Sequence, residues 1–171
     1  MIRNKTLYSL LVLLLLSLTA CKSCSYSLSG INIPVDVKTI SIQYFNNQAS
    51  YINPSLSQKF TEQMKDKFLR ETSLTIQGQE GDFKLSGSIV DYKTESVASN
   101  ANTGSSKNRF SMTVRVVFEC PKHPEMNFTE NISKFQEFNA TETFQSIEAS
   151  LSEQVSTQII QEVFNKVALK W

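Results

Sequence analysis

The stretch that decides the fold is residues 109–119, RFSMTVRVVFE, in which apolar and polar side chains alternate. The side chains of a β-strand point alternately to the two faces of a sheet, so this pattern predicts a strand with one buried face. A sheet with such a face needs an apolar layer to cover it. The residues predicted on the buried face are Phe110, Met112, Val114, Val116 and Phe118.

The sequence on either side of this strand predicts more of the same sheet. Residues 83–92 alternate in the same way, and the polar, aperiodic segment 94–108 (TESVASNANTGSSKN) predicts a long loop. The two strands and this loop form an extended hairpin in the prediction. Further strands are predicted at residues 37–45, 74–77 and 126–135.

Two segments change to a helical period and predict the covering layer. Apolar side chains recur at every fourth position in residues 55–71, and a second helix is predicted from about residue 144 to residue 170. Asn46 and Asn47 predict a turn before the first helix. The predicted fold class is therefore α+β, a two-layer sandwich in which two amphipathic helices cover one face of a mixed or antiparallel sheet of about four strands.

The N-terminus has the features of a bacterial export signal. The basic residues Arg3 and Lys5 precede an apolar segment, residues 7–18, and Leu18-Thr19-Ala20-Cys21 resembles a lipobox. Twelve helical residues at about 1.5 Å each extend only ~18 Å, short of the ~30 Å hydrocarbon core of a bilayer. The segment is therefore expected to be removed, and Cys21 is expected to carry the acyl chains, such as palmitate, of a lipid anchor.

This signal predicts the organisation and the location of the whole chain. We expect a lipoprotein signal peptide at residues 1–20, a lipidated tether at 21–36 and a single α+β domain at 37–171. Residues 22–25 contain no carboxylate, and by bacterial sorting conventions this favours the periplasmic side of the outer membrane. An uncleaved apolar N-terminus with an incidental cysteine is the alternative.

Charge and cysteine content limit the function further. Removal of residues 1–20 takes away two of 17 basic residues and none of 16 acidic ones, which leaves 15 against 16. A nucleic-acid partner is not expected, because phosphate neutralisation needs a basic face. Cys24 and Cys120 remain, either as a disulfide that holds the domain close to the membrane or as two unpaired thiols.

The chain offers few residues for catalysis. His123, the one histidine, lies in a predicted turn beside Pro124, and with Cys120 it supplies only two of the four ligands of a structural zinc site. Glu80 and Asp82 lie in another predicted turn, where we expect both carboxylates to be solvated. No glycine-rich phosphate loop is present in the sequence. The sequence therefore predicts no enzymatic activity, no cofactor and no metal site.

Four basic residues flank the predicted 94–108 loop or follow it along the strands. These residues could contact anionic phosphates. Lysine on a solvated strand edge, where it prevents aggregation, explains the same pattern about as well. The four candidates are Lys93, Lys107, Arg109 and Arg115.

Three segments together resemble one known family. They are residues 35–45 (VDVKTISIQYF), residues 53–61 (NPSLSQKFT) with their continuation to Phe68, and the strand pattern Gly81-Asp82-Phe83-x-Leu85-x-Gly87-x-Ile89. In these segments the chain resembles the lipopolysaccharide-assembly lipoprotein family LptE in its Bacteroidota form. The resemblance extends to the end of the chain at Trp171.

The resemblance implies a fold of two helices on a sheet and a role as a plug. Such a lipoprotein sits inside the LptD β-barrel of the outer membrane, supports assembly of the barrel and assists delivery of lipopolysaccharide to the cell surface. The implied partners are an LptD-type barrel, lipopolysaccharide and the membrane, the last through lipid on Cys21. Family members contact lipopolysaccharide through basic residues, but no motif transfers this role to particular positions of the chain.

Two other hypotheses stay open at the level of sequence. A free-standing periplasmic lipoprotein that binds a small lipid or peptide would need a sizeable apolar pocket between helices and sheet. A hydrolase would depend on His123. The plug hypothesis instead predicts a filled core and a stable complex with a second protein.

Overall fold

The computed structural model describes residues 30–51, 53–97 and 106–169 of the 171-residue chain. The predicted fold class is confirmed, since two helices accompany a mixed sheet. In chain order the elements are β1 (Thr39–Ile42), β2 (Asn46–Asn47), α1 (Leu56–Glu71), β3 (Thr75–Gln77), β4 (Phe83–Val97), β5 (Lys107–Glu119), a 3-10 helix (Pro124–Met126), β6 (Phe128–Asn139) and α2 (Phe144–Ala168).

The sheet has six strands rather than about four, in the order β3-β1-β4-β5-β6 with β2 also beside β4. β1 runs parallel to β3 and β4, whereas β4, β5 and β6 are antiparallel. The predicted turn at Asn46 and Asn47 is wrong, because these residues pair with Ser88 and Ile89 as the short strand β2. Asparagine is uncommon in strands, but the ladder is formed by backbone groups and tolerates it here.

The hairpin of β4 and β5 is longer than the sequence predicts. Pairing continues to Val97 opposite Lys107, so both ends of the predicted 94–108 loop belong to strands. The side chains of residues 93–96 are exposed on both faces, and no apolar alternation marks this part of the strand. Residues 98–105, the middle of the predicted loop, lie outside the described residues.

Both helices cover the same face of the sheet and share one core with it. The rings of Phe68 in α1 and Phe164 in α2 lie 5.2 Å apart, and those of Phe45 and Phe60 lie 5.3 Å apart. Each such buried side chain contributes about 1.5–3 kcal/mol of transfer free energy. The predicted buried face of β5 is confirmed, since all five of its residues have no exposed surface: Phe110, Met112, Val114, Val116 and Phe118.

Two glycines of the β4 pattern permit close approach of neighbouring backbones. A Cβ on Gly81 would lie 2.4 Å from the backbone nitrogen of Ser41, and one on Gly87 would lie 2.1 Å from the backbone oxygen of Arg115. Neither position can hold a larger side chain without backbone movement. Packing therefore explains both glycines of the pattern.

The segment before β1, predicted as part of the tether, is joined to the domain. Ile31 and Ile33 pack against the core, and the backbone N–H of Asn32 donates to the oxygen of Ala168 at 2.7 Å. The second helix ends at Ala168, and residues 170 and 171 lie outside the described part. None of the helices in the described ranges is both long and apolar enough to cross a membrane.

Candidate interaction surfaces

The odd-numbered residues of β5, with their cross-strand neighbours on β4 and β6, form a surface that we call the helix-free face. Because the even-numbered side chains fill the core, strand alternation places the odd-numbered ones on the opposite side. In one row Ser88, Arg115 and Asn131 lie side by side, and nearby the hydroxyl of Thr113 donates to that of Ser133 at 3.0 Å. Hydroxyl and amide side chains dominate the middle of this face, namely Ser86, Ser88, Ser111, Thr113, Thr129, Asn131 and Ser133.

One end of the helix-free face carries a group that we call the ion-pair cluster. The Lys93 ammonium lies 2.9 Å from a carboxylate oxygen of Glu95 and 3.4 Å from one of Asp91. A guanidinium N–H of Arg109 donates to Glu137 at 2.8 Å, and the Lys107 ammonium lies 3.7 Å from the same carboxylate. The cluster consists of Asp91, Lys93, Glu95, Lys107, Arg109 and Glu137.

The basic residues of the ion-pair cluster already have carboxylate partners. The hydrogen bond from Arg109 lowers the pKa of Glu137, and the hydrogen bond to Glu95 raises the pKa of Lys93. Three positive charges thus face three negative ones, and an incoming anion must compete with partners already in place. Sequence reasoning considered the basic residues and missed the acidic ones. Asp91 and Glu95 flank Lys93 on the same strand, whereas the pairing of β6 with β5 brings Glu137 to Lys107 and Arg109.

Arg109 has a second neighbour in the cluster. Its guanidinium carbon lies 4.1 Å from the ring centroid of Phe135, a side chain that is half exposed on the helix-free face. Its Nε is buried and has no hydrogen-bond partner in the described part of the chain. Arg109 is therefore held by a ring and a carboxylate and is the most constrained of the four candidates.

Arg115 stands apart from the other three candidates. It lies two positions beyond Thr113, the residue opposite Asp91, and four positions beyond Ser111, the residue opposite Lys93, so it is about 14 Å along the strand from the row of Lys93. It is exposed, and no carboxylate of the described residues lies within 4 Å of its guanidinium. The structure therefore places all four candidates on one face, brings three together and leaves Arg115 as the one without an ion pair.

A second polar group lies where the chain enters the sheet, and we call it the junction cluster: Asp36, Asp82, Lys122 and His123. The Asp82 carboxylate accepts hydrogen bonds from the backbone N–H groups of Lys38 at 2.8 Å and Thr39 at 3.1 Å, and it lies 2.7 Å from the Lys122 ammonium. These donors, Lys122 foremost, hold the pKa of Asp82 well below its usual range. The expectation of a solvated Asp82 is therefore wrong.

The rest of the junction cluster connects the segment before β1 to the turn between β5 and β6. Lys122 donates to the backbone oxygen of Asp36 at 2.6 Å, and the His123 ring nitrogen Nε2 lies 3.0 Å from the Asp36 carboxylate. This hydrogen bond raises the pKa of His123, with a smaller contribution from Glu125 on the other ring nitrogen. Sequence reasoning missed the cluster because its members are up to 87 positions apart.

His123 and Cys120, the two candidate metal ligands of the sequence, lie in different surroundings. Both His123 nitrogens face carboxylates, while Cys120, directly after β5, is fully buried and has no disulfide partner among the described residues. No group of three or more potential metal ligands occurs in the ranges that the structure describes. Cys24 and Cys21 lie outside those ranges, so a disulfide of Cys24 with Cys120 and the acylation of Cys21 stay predictions.

Three grooves open on the surface of the described part of the structure. The space between α1 and α2 contains grooves of about 320 Å³ and about 180 Å³, and a third of about 330 Å³ lies between α2 and the end of β6. Side chains such as Lys67, Arg70, Glu148 and Glu153 line the first two. The core between helices and sheet is instead filled by fully buried rings, including Phe45, Phe60, Phe68, Phe83, Phe118 and Phe164.

Comparison with known proteins bears on these surfaces. The model of the family described as LptE, lipopolysaccharide-assembly, matches residues 37–167, which is most of the chain. The chain belongs to this family. Membership in LptE places it in a lipoprotein family of lipopolysaccharide assembly, in agreement with the sequence resemblance. No curated protein sequence matches the chain significantly.

Solved structures show the same fold as this LptE chain. A minor lipoprotein from Acinetobacter baumannii superposes with a TM-score of 0.51 at 11% identity, over 77% of this chain and 92% of that one. An uncharacterised lipoprotein B from Nitrosomonas europaea gives 0.52 at 10% identity, over 86% of this chain and 90% of that one. At such low identity these likenesses bear on the fold alone.

Proposed function

We propose that this LptE-family chain is an outer-membrane lipoprotein that plugs an LptD-type β-barrel and assists lipopolysaccharide transport and insertion. In this proposal the signal peptide is removed and Cys21 carries the lipid anchor on the periplasmic side of the outer membrane. The domain then acts through its surfaces rather than by catalysis. The family match over residues 37–167 is the observation that carries the proposal.

The helix-free face supports the proposal physically. The lumen of an outer-membrane barrel is polar, so a domain seated in it needs a surface of hydroxyl, amide and paired charged groups. The middle of the helix-free face has this chemistry across three long strands of 12 to 15 residues. The filled core also favours a partner surface over the alternative of a small lipid or peptide held inside the domain.

A photo-crosslinking amino acid on this face tests the proposal in intact cells. We would place it at Thr113 in the middle of the helix-free face and, as the matched control, at Gln158, an exposed position on α2. The expected result is a crosslink from position 113 to a large outer-membrane β-barrel, with a weaker one from position 158. No crosslink to a barrel from either position would contradict the plug.

The proposal ranks the four basic candidates by the contribution that each is expected to make to anion binding. We expect Arg115 to contribute most to an anion such as a lipopolysaccharide phosphate, because Lys93, Lys107 and Arg109 already face carboxylates. Arg115→Glu should weaken binding of lipopolysaccharide to the purified protein by up to about fivefold, since an exposed charge pair contributes at most about 1 kcal/mol. Arg70→Glu on α1 is the matched control, since Arg70 is an exposed arginine of the helix face.

Equal binding by Arg115→Glu and the unchanged protein would remove Arg115 from the proposed contact. A loss of the same size in Arg70→Glu would show that net charge, and not position on the helix-free face, governs binding. Both variants keep side chains that are exposed, so their folding should match that of the unchanged protein.

A further inference from the structure

The two outer strands of the sheet differ in how their free edges are protected. β3 forms one edge and has only three residues, whereas β6 forms the other and has 12. Natural sheets protect long edges with proline, with a bulge or with a lysine that projects over the edge. β6 contains no proline and pairs with β5 without a register shift, and its one lysine, Lys134, is bound to Glu162 of α2. The edge of β6 is therefore long and regular, and no strand of the described residues pairs with its outer side.

The register of the sheet identifies the backbone groups of β6 that point outward. The backbone N–H of Ala140 donates to the oxygen of Ser106 at 3.1 Å, and these two residues lie opposite each other, as Lys107 and Asn139 do. Backbone-bonded pairs occur at every second position of an antiparallel ladder. Even-numbered residues of β6 are therefore bonded to β5, and the N–H and C=O groups of the odd-numbered ones point away from it. These odd-numbered residues are Thr129, Asn131, Ser133, Phe135 and Glu137.

The outward backbone groups have no partner in the part of the chain that the structure describes. No turn, loop or side chain of the described residues forms a hydrogen bond to the backbone of these five positions. Outward donors and acceptors repeat at every second residue, about 6.8 Å apart, and another extended chain presents groups with the same spacing. The chemistry of this edge therefore fits the backbone of an extended polypeptide.

α2 lies alongside β6 on the helix side of the sheet and leaves a groove next to the free edge. The Lys166 ammonium lies 2.7 Å from the Glu130 carboxylate, and towards the other end of β6 the Phe138 ring lies 6.3 Å from that of Phe144, the first residue of α2. The helix therefore follows the strand in the opposite direction. Between the two is the groove of about 330 Å³, which we call the edge groove.

The edge groove combines apolar side chains with an unpaired carboxylate. Leu151 is only 5% exposed and Ile147 packs against the core, whereas Glu142 is exposed and has no basic group of the described residues within 4 Å. Lys107 also lines the groove, but it faces Glu137. Alternate side chains of a strand added to β6 would point to the helix side, so one of them would enter the groove. A lysine or arginine fits best, because its aliphatic stem covers Leu151 while its charge reaches Glu142.

A closed barrel limits the part of a partner that this edge can meet. The strands of a barrel wall are paired on both sides, so a wall strand has no free backbone groups to offer. A domain seated in the lumen can instead meet a loop of the barrel protein that enters the lumen. This step rests on the proposed function. The free edge also adjoins the helix-free face, because the odd-numbered side chains of β6 belong to that face.

We propose that an extended segment of the barrel partner, outside the barrel wall, pairs with the free edge of β6 as an added strand and places a basic side chain in the edge groove. Main-chain hydrogen bonds supply the affinity of such a contact, and the groove supplies the specificity. The added strand also covers the one long sheet edge of the described residues, which would otherwise be open to aggregation.

Hydrogen exchange resolved by residue distinguishes this pairing from other contacts. The full, lipidated chain is measured alone and in complex with the barrel that co-purifies with it. The backbone N–H groups of even-numbered residues such as Ile132 and Gln136 should be protected in both samples. Those of Asn131 and Ser133 should exchange quickly in the free chain and about tenfold more slowly in the complex, because each gains a backbone hydrogen bond.

Proline substitution tests the free edge in a binding assay with the purified barrel. Asn131→Pro removes an outward N–H but no bond to β5, and edge strands tolerate proline at such positions. Asn131→Ala is the matched control, because it keeps the N–H. Asn131→Pro should weaken binding of the barrel by about tenfold, and Asn131→Ala should leave it unchanged.

A charge reversal tests the edge groove without any change in the backbone, so it stays informative if the proline variant does not fold. Glu142→Lys should weaken binding of the barrel by up to about fivefold, the range of an exposed charge pair. Glu153→Lys is the matched control, since Glu153 is an exposed glutamate of α2 outside the edge groove. Unchanged binding by Glu142→Lys would overturn the basic side chain in the groove.

The remaining outcomes separate this inference from the proposed function. Equal exchange of the Asn131 and Ser133 N–H groups in the free chain and in the complex would overturn the added strand while leaving the plug intact. Absence of a co-purified barrel would overturn the plug and the added strand together. Slow exchange in the free chain that depends on protein concentration would assign the edge to a second copy of this chain and would overturn the barrel segment.

Discussion

Replacement of Asp82 by asparagine should destabilise the domain by an amount that the junction cluster allows one to work out. One carboxylate oxygen accepts two backbone N–H groups at 2.8 and 3.1 Å, and the other lies 2.7 Å from Lys122. Asparagine has a single acceptor oxygen, so its amide group must face either the backbone donors or the ammonium. In either orientation the amide NH₂ group, a hydrogen-bond donor, faces another donor.

The magnitude follows from the burial of this group. The Asp82 side chain is only 20% exposed, so water replaces the lost contacts poorly. Hydrogen bonds to charged groups contribute about 1.5–3 kcal/mol, and we expect Asp82→Asn to lower the free energy of unfolding by about 2 kcal/mol. For a domain of this size that corresponds to a fall in Tm of about 4–8 °C.

The pH dependence has a definite sign. The pKa of Asp82 is lowered in the folded state, so its stabilising contribution is complete above the unfolded pKa of about 3.9 and is lost as the pH falls towards the folded value. The difference in Tm between the unchanged protein and Asp82→Asn should therefore be equal at pH 7 and pH 5. Below about pH 4 it should narrow.

Thermal unfolding followed by circular dichroism measures both effects. Glu80→Gln is the matched control, because Glu80 lies two residues away and pairs with Lys84 at 2.8 Å but keeps 84% of its side chain exposed. This control should melt with the unchanged protein. A Tm of Asp82→Asn within 1 °C of the unchanged protein at pH 7, or an equal loss in Glu80→Gln, would refute the reasoning.

Three further predictions concern the core, a glycine and the histidine. Phe60→Ala should lower the free energy of unfolding by about 3–5 kcal/mol, because Phe60 is fully buried. Leu69→Ala, on the exposed side of α1, should change it by less than ~0.5 kcal/mol. Equal midpoints of urea unfolding for the two variants would contradict the packing of Phe60. Gly87→Ala should lower the free energy of unfolding by about 1–3 kcal/mol, because the added Cβ clashes with the Arg115 backbone. Gly78→Ala should leave the stability unchanged, because its Cβ meets no atom within 4 Å. Equal Tm values for the two variants would show that β4 and β5 are farther apart at Gly87. The pKa of His123 should exceed its ordinary value of 6.5 in an NMR titration and fall in Asp36→Asn. The stability that the His123–Asp36 pair supplies should be present below pH 6.5 and disappear as the pH rises through the folded pKa of His123. If the difference in stability between the unchanged protein and Asp36→Asn grew with pH, that result would contradict the His123–Asp36 contact.

Local periodicity was enough to predict the layers of this fold. The alternation along β5 identifies its buried face, and the fourfold spacing in α1 identifies the helix that covers the sheet. Burial of apolar surface determines both patterns, and each is complete within one element. Gly81, just before β4, and Gly87, within it, also belong to a recognisable pattern, although only the structure shows which backbones they accommodate.

The surfaces could not be predicted in the same way, because they depend on register between strands. An irregularity between Ile89 and Asp91 shifts the alternation of β4, so that Tyr92 points into the core and Lys93 points out. Without this bulge Lys93 would lie on the helix side of the sheet. Such an insertion leaves no mark in the sequence that distinguishes it from regular strand.

The junction cluster escaped prediction for a related reason. Asp82 follows a glycine in a turn-like segment, where a carboxylate is usually solvated, and only the parallel pairing of β1 with β4 brings backbone donors to it. His123 likewise acquires its partner from a segment that is distant in sequence. Contacts of this kind are fixed by topology and not by local composition.

The most direct test of the central claim is the composition of the complex that this LptE-family protein forms in its own membrane. A C-terminally tagged full chain is extracted from outer membranes in mild detergent, and the co-purified proteins are identified and quantified by mass spectrometry. The account predicts a large β-barrel of the LptD type in an amount close to that of the tagged chain. A lipoprotein that purifies without such a barrel would contradict the proposed plug and would direct attention to a small ligand of the free domain.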